Sequence, residues 1–368
     1  MNIKPETHFL TSAEIAEIES LGFQFLGISA FQENFINENF PNCNLFLLLK
    51  QINNIFSPLC NVPVTKLIYL NNSTPEIKIQ FFTEDYEDEI HGLAFSRIFC
   101  WKGEDLVVKH DYFRLPQSNR GKGIAKLIFQ VCIQQYVNMN INKILVHASL
   151  KDGGYTWARN FFTANNQDEM KQILDNAQSK LTTFQFQAIE KIYRNYYSKN
   201  PAGIAFPIVK WAELPFMKEI LRGSSWHGMI DFIITNNSLT LYHMFSTKSI
   251  PTESGYIADE LIQTQQLTDL DRKCLVIKQA IQDGDFTLDE ALKLYEVSKS
   301  EYESFFAKNI IAELHSSMQS PKFQAVFTIE VIASIYKKLF SSVDKNSTIV
   351  LTHFESLSKE IQEDKVLL

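Results

Sequence analysis

The spacing of apolar positions changes period along the chain and separates three regions. From residue 1 to about 70 the pattern is mostly helical. Thr11 followed by Glu14 makes a capping box ahead of AEIAEIESLG, and Gly22 stops that helix. A second helix covers Leu45 to Phe56 and ends before Pro58. From about 75 to 115 the texture becomes strand-like. EIKIQFFTE, IHGLAFSRIFCW and DLVVKHDYFRL are rich in β-branched and aromatic residues and are separated by polar turns. A helix from Gly123 to about Met139 and the strand KILVHASL at 143–150 follow, in the order of an α/β unit. Residues 154–198 return to a helical pattern, and 226–245 read as a hairpin turning at Asn236-Asn237. The segment 246–256 is the best linker. Beyond it the chain reads as all-helical, with capping boxes at Thr287/Glu290 and Ser298/Glu301 and a further helix starting at Pro321.

Length and composition narrow the classes. A chain of 368 residues calls for two or three domains. Its 35 basic and 42 acidic residues give a net charge of -7, the opposite of what a general nucleic-acid or anionic-membrane binder carries. Twenty-nine Phe against 13 Gly imply a large aromatic core. The five cysteines (43, 60, 100, 132 and 274) are scattered without a CxxC pair, which speaks against a metal site or a disulfide framework and for reduced thiols. Cys132 falls within an apolar helical pattern and reads as core. The N-terminus lacks a signal-peptide pattern, and no run approaches the ~20 apolar residues of a membrane span. A cytoplasmic location is expected.

The stretch that carries chemistry is LPQSNRGKGIAKLIF, residues 115–129. Glycine permits a sharp turn and close approach of a ligand to backbone amides. The first-turn N–H groups of the following helix lack partners and sit at its positive end, so the turn suits a pyrophosphate. Arg120 and Lys122 add charge at its rim. The spacing fits neither a P-loop nor a dinucleotide fingerprint.

Arg120-x-x-Gly123-x-Ala125, with its strand before and helix–strand after, resembles the acyl-CoA signature of the GNAT (N-acetyltransferase) superfamily. The resemblance covers residues 75–165 and includes GGYTWARNFF as the family's next helix. It implies an α/β (α+β) core with a central mixed sheet and acyl-CoA, chiefly acetyl-CoA, as cosubstrate without a metal. In that arrangement Arg120, Gly121, Lys122, Gly123, Ile124 and Ala125 hold the pyrophosphate. The splayed strand end near Phe113 and Leu115 pairs with the pantetheine arm, and an acyl group passes directly to an amine. The family's acid is a Tyr on the fourth helix; here Trp157 occupies the aligned position and Tyr155 lies two residues earlier, making Tyr155 the candidate acid. His110 and His147 are candidate bases, His110 and Asp111 falling on opposite faces of one strand. Each histidine taken singly reads more readily as a hydrogen-bonded core histidine. Glu87, Asp88 and Glu89 either attract a cationic amine or form a solvated turn, and Trp226, His227 and Gly228 either border the acceptor site or, in the case of Trp226, plug the sheet.

The resulting organisation is an N-terminal region at 1–70, a GNAT-like domain at 71–250 and an all-helical domain at 255–368. The first region either completes the GNAT unit, with GFQFLGISA as its first strand, or forms a separate cap. Segment 269–308 of the helical domain resembles a helix-turn-helix module. Its second helix pairs Lys299 and Lys308 with Glu301 and Glu303, which favours protein interaction over DNA reading. The expected activity is an N-acyltransferase acting on a small amine, a peptide or a protein. The alternative is a non-catalytic GNAT-fold module that senses acyl-CoA or is tied to DNA through the helical region.

Overall fold

The computed structural model describes residues 8–28, 30–59, 62–149, 152–203, 205–232 and 268–307. The turn expected at Asn236-Asn237, the linker at 246–256 and the helix from Pro321 lie outside them. The chain divides into two compact units. The first holds the described residues up to Ile173, Gly203–Pro207 and those from Arg222; the second holds Leu174–Ala202, Ile208–Leu221 and those from 268.

The first unit is an α/β fold built on one mixed, eight-stranded sheet. Its elements are α1 (Ser12–Ser20), β1 (Phe23–Leu26), α2 (Gln32–Asn39), α3 (Leu45–Phe56), β2 (Thr65–Asn71), β3 (Glu76–Phe82), β4 (Ala94–Lys102), β5 (Asp105–Arg114), α4 (Ile124–Asn138), β6 (Lys143–Ala148), α5 (Gly153–Arg159), β7 (Thr163–Ala164) and β8 (Trp226–Asp231). The sheet order is β1-β2-β3-β4-β5-β6-β8-β7. β1 runs parallel to β2, β2 to β5 form an antiparallel meander, and β5 and β6 are parallel, joined by α4. β8 then inserts antiparallel between β6 and β7. The region up to residue 70 thus contributes two strands as well as helices; β2 is not foreseen from the sequence.

One face of the sheet is covered and apolar. In β3 the burial alternates strictly, with Ile77, Ile79 and Phe81 fully buried and Lys78 and Gln80 on the other side. The apolar stripe of α3, capped by Asn44, turns Leu48, Leu49, Ile52 and Phe56 inward. Phe56, Phe81 and Phe95 meet edge to face at 5.3–5.8 Å, and Phe23 meets Phe81 at 5.2 Å. Each such ring contributes roughly 1.5–3 kcal/mol by burial, which gives the high Phe content its role. Phe99 packs on Tyr136 of α4, and Trp226, fully buried, donates Nε1–H to the carbonyl of Gly154 at 3.2 Å; Trp226 is therefore a core plug. The opposite face is polar and open: Tyr69 is 40% exposed, and Lys78, Ser96, Asp111, His147 and His227 lie on it.

The second unit is helical over its described residues. It comprises the end of α6 (Gln167–Gln178), α7 (Thr183–Lys199), α8 (Val209–Ala212), α9 (Lys218–Leu221), α10 (Asp269–Gln282), α11 (Leu288–Tyr295) and helical residues 299–307. The Thr287 and Ser298 capping boxes form as read from the sequence.

Candidate functional site

β5 and β6 pair only from Val107↔Lys143 to His110↔Val146. Beyond that point Tyr112–Arg114 continue against β4 alone, while His147 and Ala148 pair with β8. A bulge at Ser96/Arg97 leaves Asp111 without a partner on β4. The two parallel strands therefore part at their carboxyl ends, where open α/β sheets receive ligands.

The glycine turn stands at the same end of the sheet. Gly121 and Gly123 adopt φ of 76° and 78°, and a Cβ at either would meet nothing within 4 Å. Backbone conformation, not crowding, requires glycine there. Gly123 is the N-cap of α4 and no side chain caps that end, which leaves the first-turn amides of Ile124 and Ala125 for an external acceptor. Lys122 and Ala125 are exposed and Ile124 is half-buried.

Arg120 is less a rim charge than a tether. Its Nε donates to the carbonyl of Leu115 at 3.0 Å and its Nη2 to that of Glu89 at 2.8 Å. Gln117 N–H bonds to the Ile90 carbonyl at 2.7 Å, and Arg114 donates to the Glu87 carbonyl. The acidic loop 87–89 is thus pinned beside the turn by its main chain, with its side chains exposed. Backbone hydrogen bonds from His91 and Ile90 hold the Asp88 carboxyl below its ordinary value. Phe113 is half-buried, 6.3 Å from Phe95; Leu115 is buried, its carbonyl already accepting from Arg120.

The three residues expected to exchange protons are placed very differently. His110 is 3% exposed on the covered face, its Nε2 3.0 Å from the Tyr136 hydroxyl, with Phe129, Trp157 and Phe162 around the ring. Desolvation, followed by the charge of Arg97, pushes the imidazole well below its usual range, and burial raises the Tyr136 phenol. His110 is therefore a neutral core histidine, and Trp157 points into the same cluster. Tyr155 lies on α5, half-buried, under the Arg159 guanidinium at 5.4 Å. His147 is exposed on the open face, immediately beyond the parting, with Nε2 3.0 Å from Ser225 Oγ.

Two further groups share that face. Asp111 Oδ2 accepts from Ser96 Oγ at 3.0 Å and pairs with Lys78 Nζ at 3.2 Å. Lys78 also borders a cleft of about 560 Å³ lined by Gly27, Tyr69, Asn71, Glu76 and Gln80. The second group, His227 and Glu169, adjoins His147. The sequence marks Asp111 and His227 singly but not their partners, because the pairing of β6 with β8 joins residues about 80 apart and the Asp111 contacts reach across to β4 and β3.

Among the described residues no group of three His, Cys, Asp or Glu side chains is arranged to hold a metal ion, and no helix is long and apolar enough to cross a membrane. Cys43, Cys100, Cys132 and Cys274 are buried and unpaired; burial pushes the Cys43 thiol up to about 12. No family model, no curated protein and no solved structure matches the chain.

Proposed function

We propose that the chain is an acyl-CoA-dependent N-acyltransferase that passes an acyl group, chiefly acetyl, directly to an amine. The observation that carries this reading is the coincidence of two features at one end of the sheet: the parting of β5 from β6 and the uncapped, glycine-turned N-terminus of α4. The helix end offers amides and partial positive charge to a pyrophosphate, with Lys122 beside it. The unpaired edge of Asp111–Arg114 offers main-chain groups to an extended pantetheine arm. A thioester led along that edge arrives at the parting, where the open face admits an acceptor. The cleft beside Lys78 and the Asp111 carboxylate suit a polar, amine-bearing acceptor, small or part of a peptide or protein. Tyr155 is the candidate donor to the leaving thiolate and His147 the candidate base; the burial of His110 assigns it to support of the core.

The test is thiol release from acetyl-CoA in the presence of small amines, peptides with free N-termini and lysine-bearing proteins. Amine-dependent release, lost in Tyr155→Phe while coenzyme affinity holds, is the expected result. Coenzyme binding with no release for any acceptor class would reduce the chain to an acyl-CoA-binding module.

A further inference from the structure

His147 and His227 face each other directly across β6 and β8, their rings stacked with centroids 4.2 Å apart and planes 1° from parallel. Glu169, at the start of α6, grips His227 twice. Oε1 lies 2.7 Å from Nδ1, and Oε2 accepts the backbone N–H of His227 at 2.7 Å. The carboxylate is itself largely shielded, 18% exposed, whereas the His227 side chain is 53% exposed.

Each contact has a chemical consequence. A carboxylate on Nδ1 selects the tautomer that carries its hydrogen there, which leaves the Nε2 lone pair of His227 as a proton acceptor. When Nε2 takes a proton, the imidazolium gains the Glu169 carboxylate as an in-line partner and the face of His147 as a stacked one. A base oriented by a third group is the arrangement that nucleophile activation requires. The pair also has the right address, since His147 follows Val146, the last β6 residue paired with β5. It therefore stands on the open face where the strands part.

We infer that His227, in place of His147, is the proton acceptor for the attacking amine, with Glu169 and His147 as positioning residues; this rests on the acyltransferase reading above. The amine nitrogen attacks the thioester carbonyl carbon and a C–N bond forms. The C–S bond breaks and its electron pair leaves on sulfur. The surplus proton on nitrogen passes to His227 Nε2 and thence to water, and the thiolate takes one proton from the Tyr155 hydroxyl, which solvent replaces, so the products are an amide and free coenzyme thiol.

The experiment uses the full chain, wild type and the variants Glu169→Gln and His227→Ala, with two readouts. The first is the tautomer of His227 by nitrogen-15 NMR. A Gln side chain has one acceptor oxygen for two donors, so the Nδ1–H form is expected to dominate in the wild type and to lose its dominance in Glu169→Gln. The second is amine-dependent thiol release from acetyl-CoA. Loss of about 10²-fold or more in kcat is expected for His227→Ala, with KM for acetyl-CoA changed less than about twofold and partial recovery on adding imidazole. Wild-type kcat in both variants would overturn the inference, as would a His227 tautomer indifferent to Glu169. A wild type that releases no thiol with any amine would defeat the acyltransferase reading and the catalytic role with it, while a Glu169-dependent tautomer would still show that Glu169 orients His227.

Discussion

Arg97 in the first unit and Lys210 in the second are both cations withdrawn from water, each 2% exposed, and they are compensated in opposite ways. Lys210 Nζ lies 2.5 Å from Asp283 Oδ2 and 2.6 Å from Asp285 Oδ2. Asp285 accepts further from Asn195, and the Lys210 carbonyl accepts from the Tyr295 hydroxyl. Charge and hydrogen-bonding capacity are met together, and the cluster ties α7, α8, α11 and the turn after α10 within one unit. Arg97 has no carboxylate partner among the described residues. Its Nη1 donates to the carbonyls of Ser96 and Tyr112, its plane lies 4.3 Å over Phe95, and its Nε has no partner. A buried charge left without a counter-ion is costly, and such groups concentrate where function needs a field. Arg97 sits opposite His110, the last paired residue before β5 and β6 part. Under the acyltransferase proposal its positive charge stands beneath the place where negative charge develops on the thioester oxygen. The Lys210 cluster is fully compensated, and the Arg97 environment is the less compensated of the two.

The largest effect that separates the two is on stability. Lys210→Met strands the buried carboxylate of Asp285 and is expected to cost about 3–5 kcal/mol. Arg97→Met strands no carboxylate, only two carbonyls, and is expected to cost about 1–3 kcal/mol. Urea unfolding midpoints with slopes read both, and equal or reversed losses would break the comparison.

Next in size is the pH dependence that desolvation and Arg97 impose on His110. Its folded-state value is depressed, so below pH ~6.5 the unfolded chain binds a proton that the folded chain refuses. Stability from this group is complete above that pH. It falls by about 1.4 kcal/mol per pH unit below it, until the folded-state value is reached. His110→Phe is expected to flatten this slope between pH 6.5 and 5 in the same unfolding assay, at the expense of the Tyr136 hydrogen bond.

Smaller again is Gly123→Ala. A Cβ there meets open space, so only the left-handed backbone resists it, at about 1–2 kcal/mol, measured by thermal unfolding. Smallest is Thr287→Ala, which removes the cap of α11 in the helical unit for about 1 kcal/mol and should leave coenzyme binding untouched.

Local signals carried most of the elements. Asn44 and the apolar stripe from Leu45 to Phe56 mark α3, and β-branched runs mark β3 to β5, because cap chemistry and side-chain period act within a few residues. β2 escaped because TKLIYLN, though as long as β3, puts Lys66 on the covered side in line with Ile68 and Leu70, which breaks the apolar alternation, and because it adjoins helical sequence. The glycine turn was legible since φ near +77° leaves its mark on residue choice. The histidine pair was not, because β8 reaches β6 from outside the local α/β unit. Nor was the bulge that frees Asp111, or the burial of Arg97, for which a strand pattern holds no sign.

The central claim is that the N-terminus of α4 binds the pyrophosphate of an acyl-CoA. Calorimetric titration of acetyl-CoA into the wild type and into Lys122→Glu tests it most directly, because Lys122 is exposed and its reversal leaves the Arg120 tethers in place. Saturable 1:1 binding to the wild type is expected, weakened at least tenfold in the variant, a loss of about 1.4 kcal/mol or more. Wild-type protein that takes up no acetyl-CoA, or a variant that binds it equally well, would contradict the account.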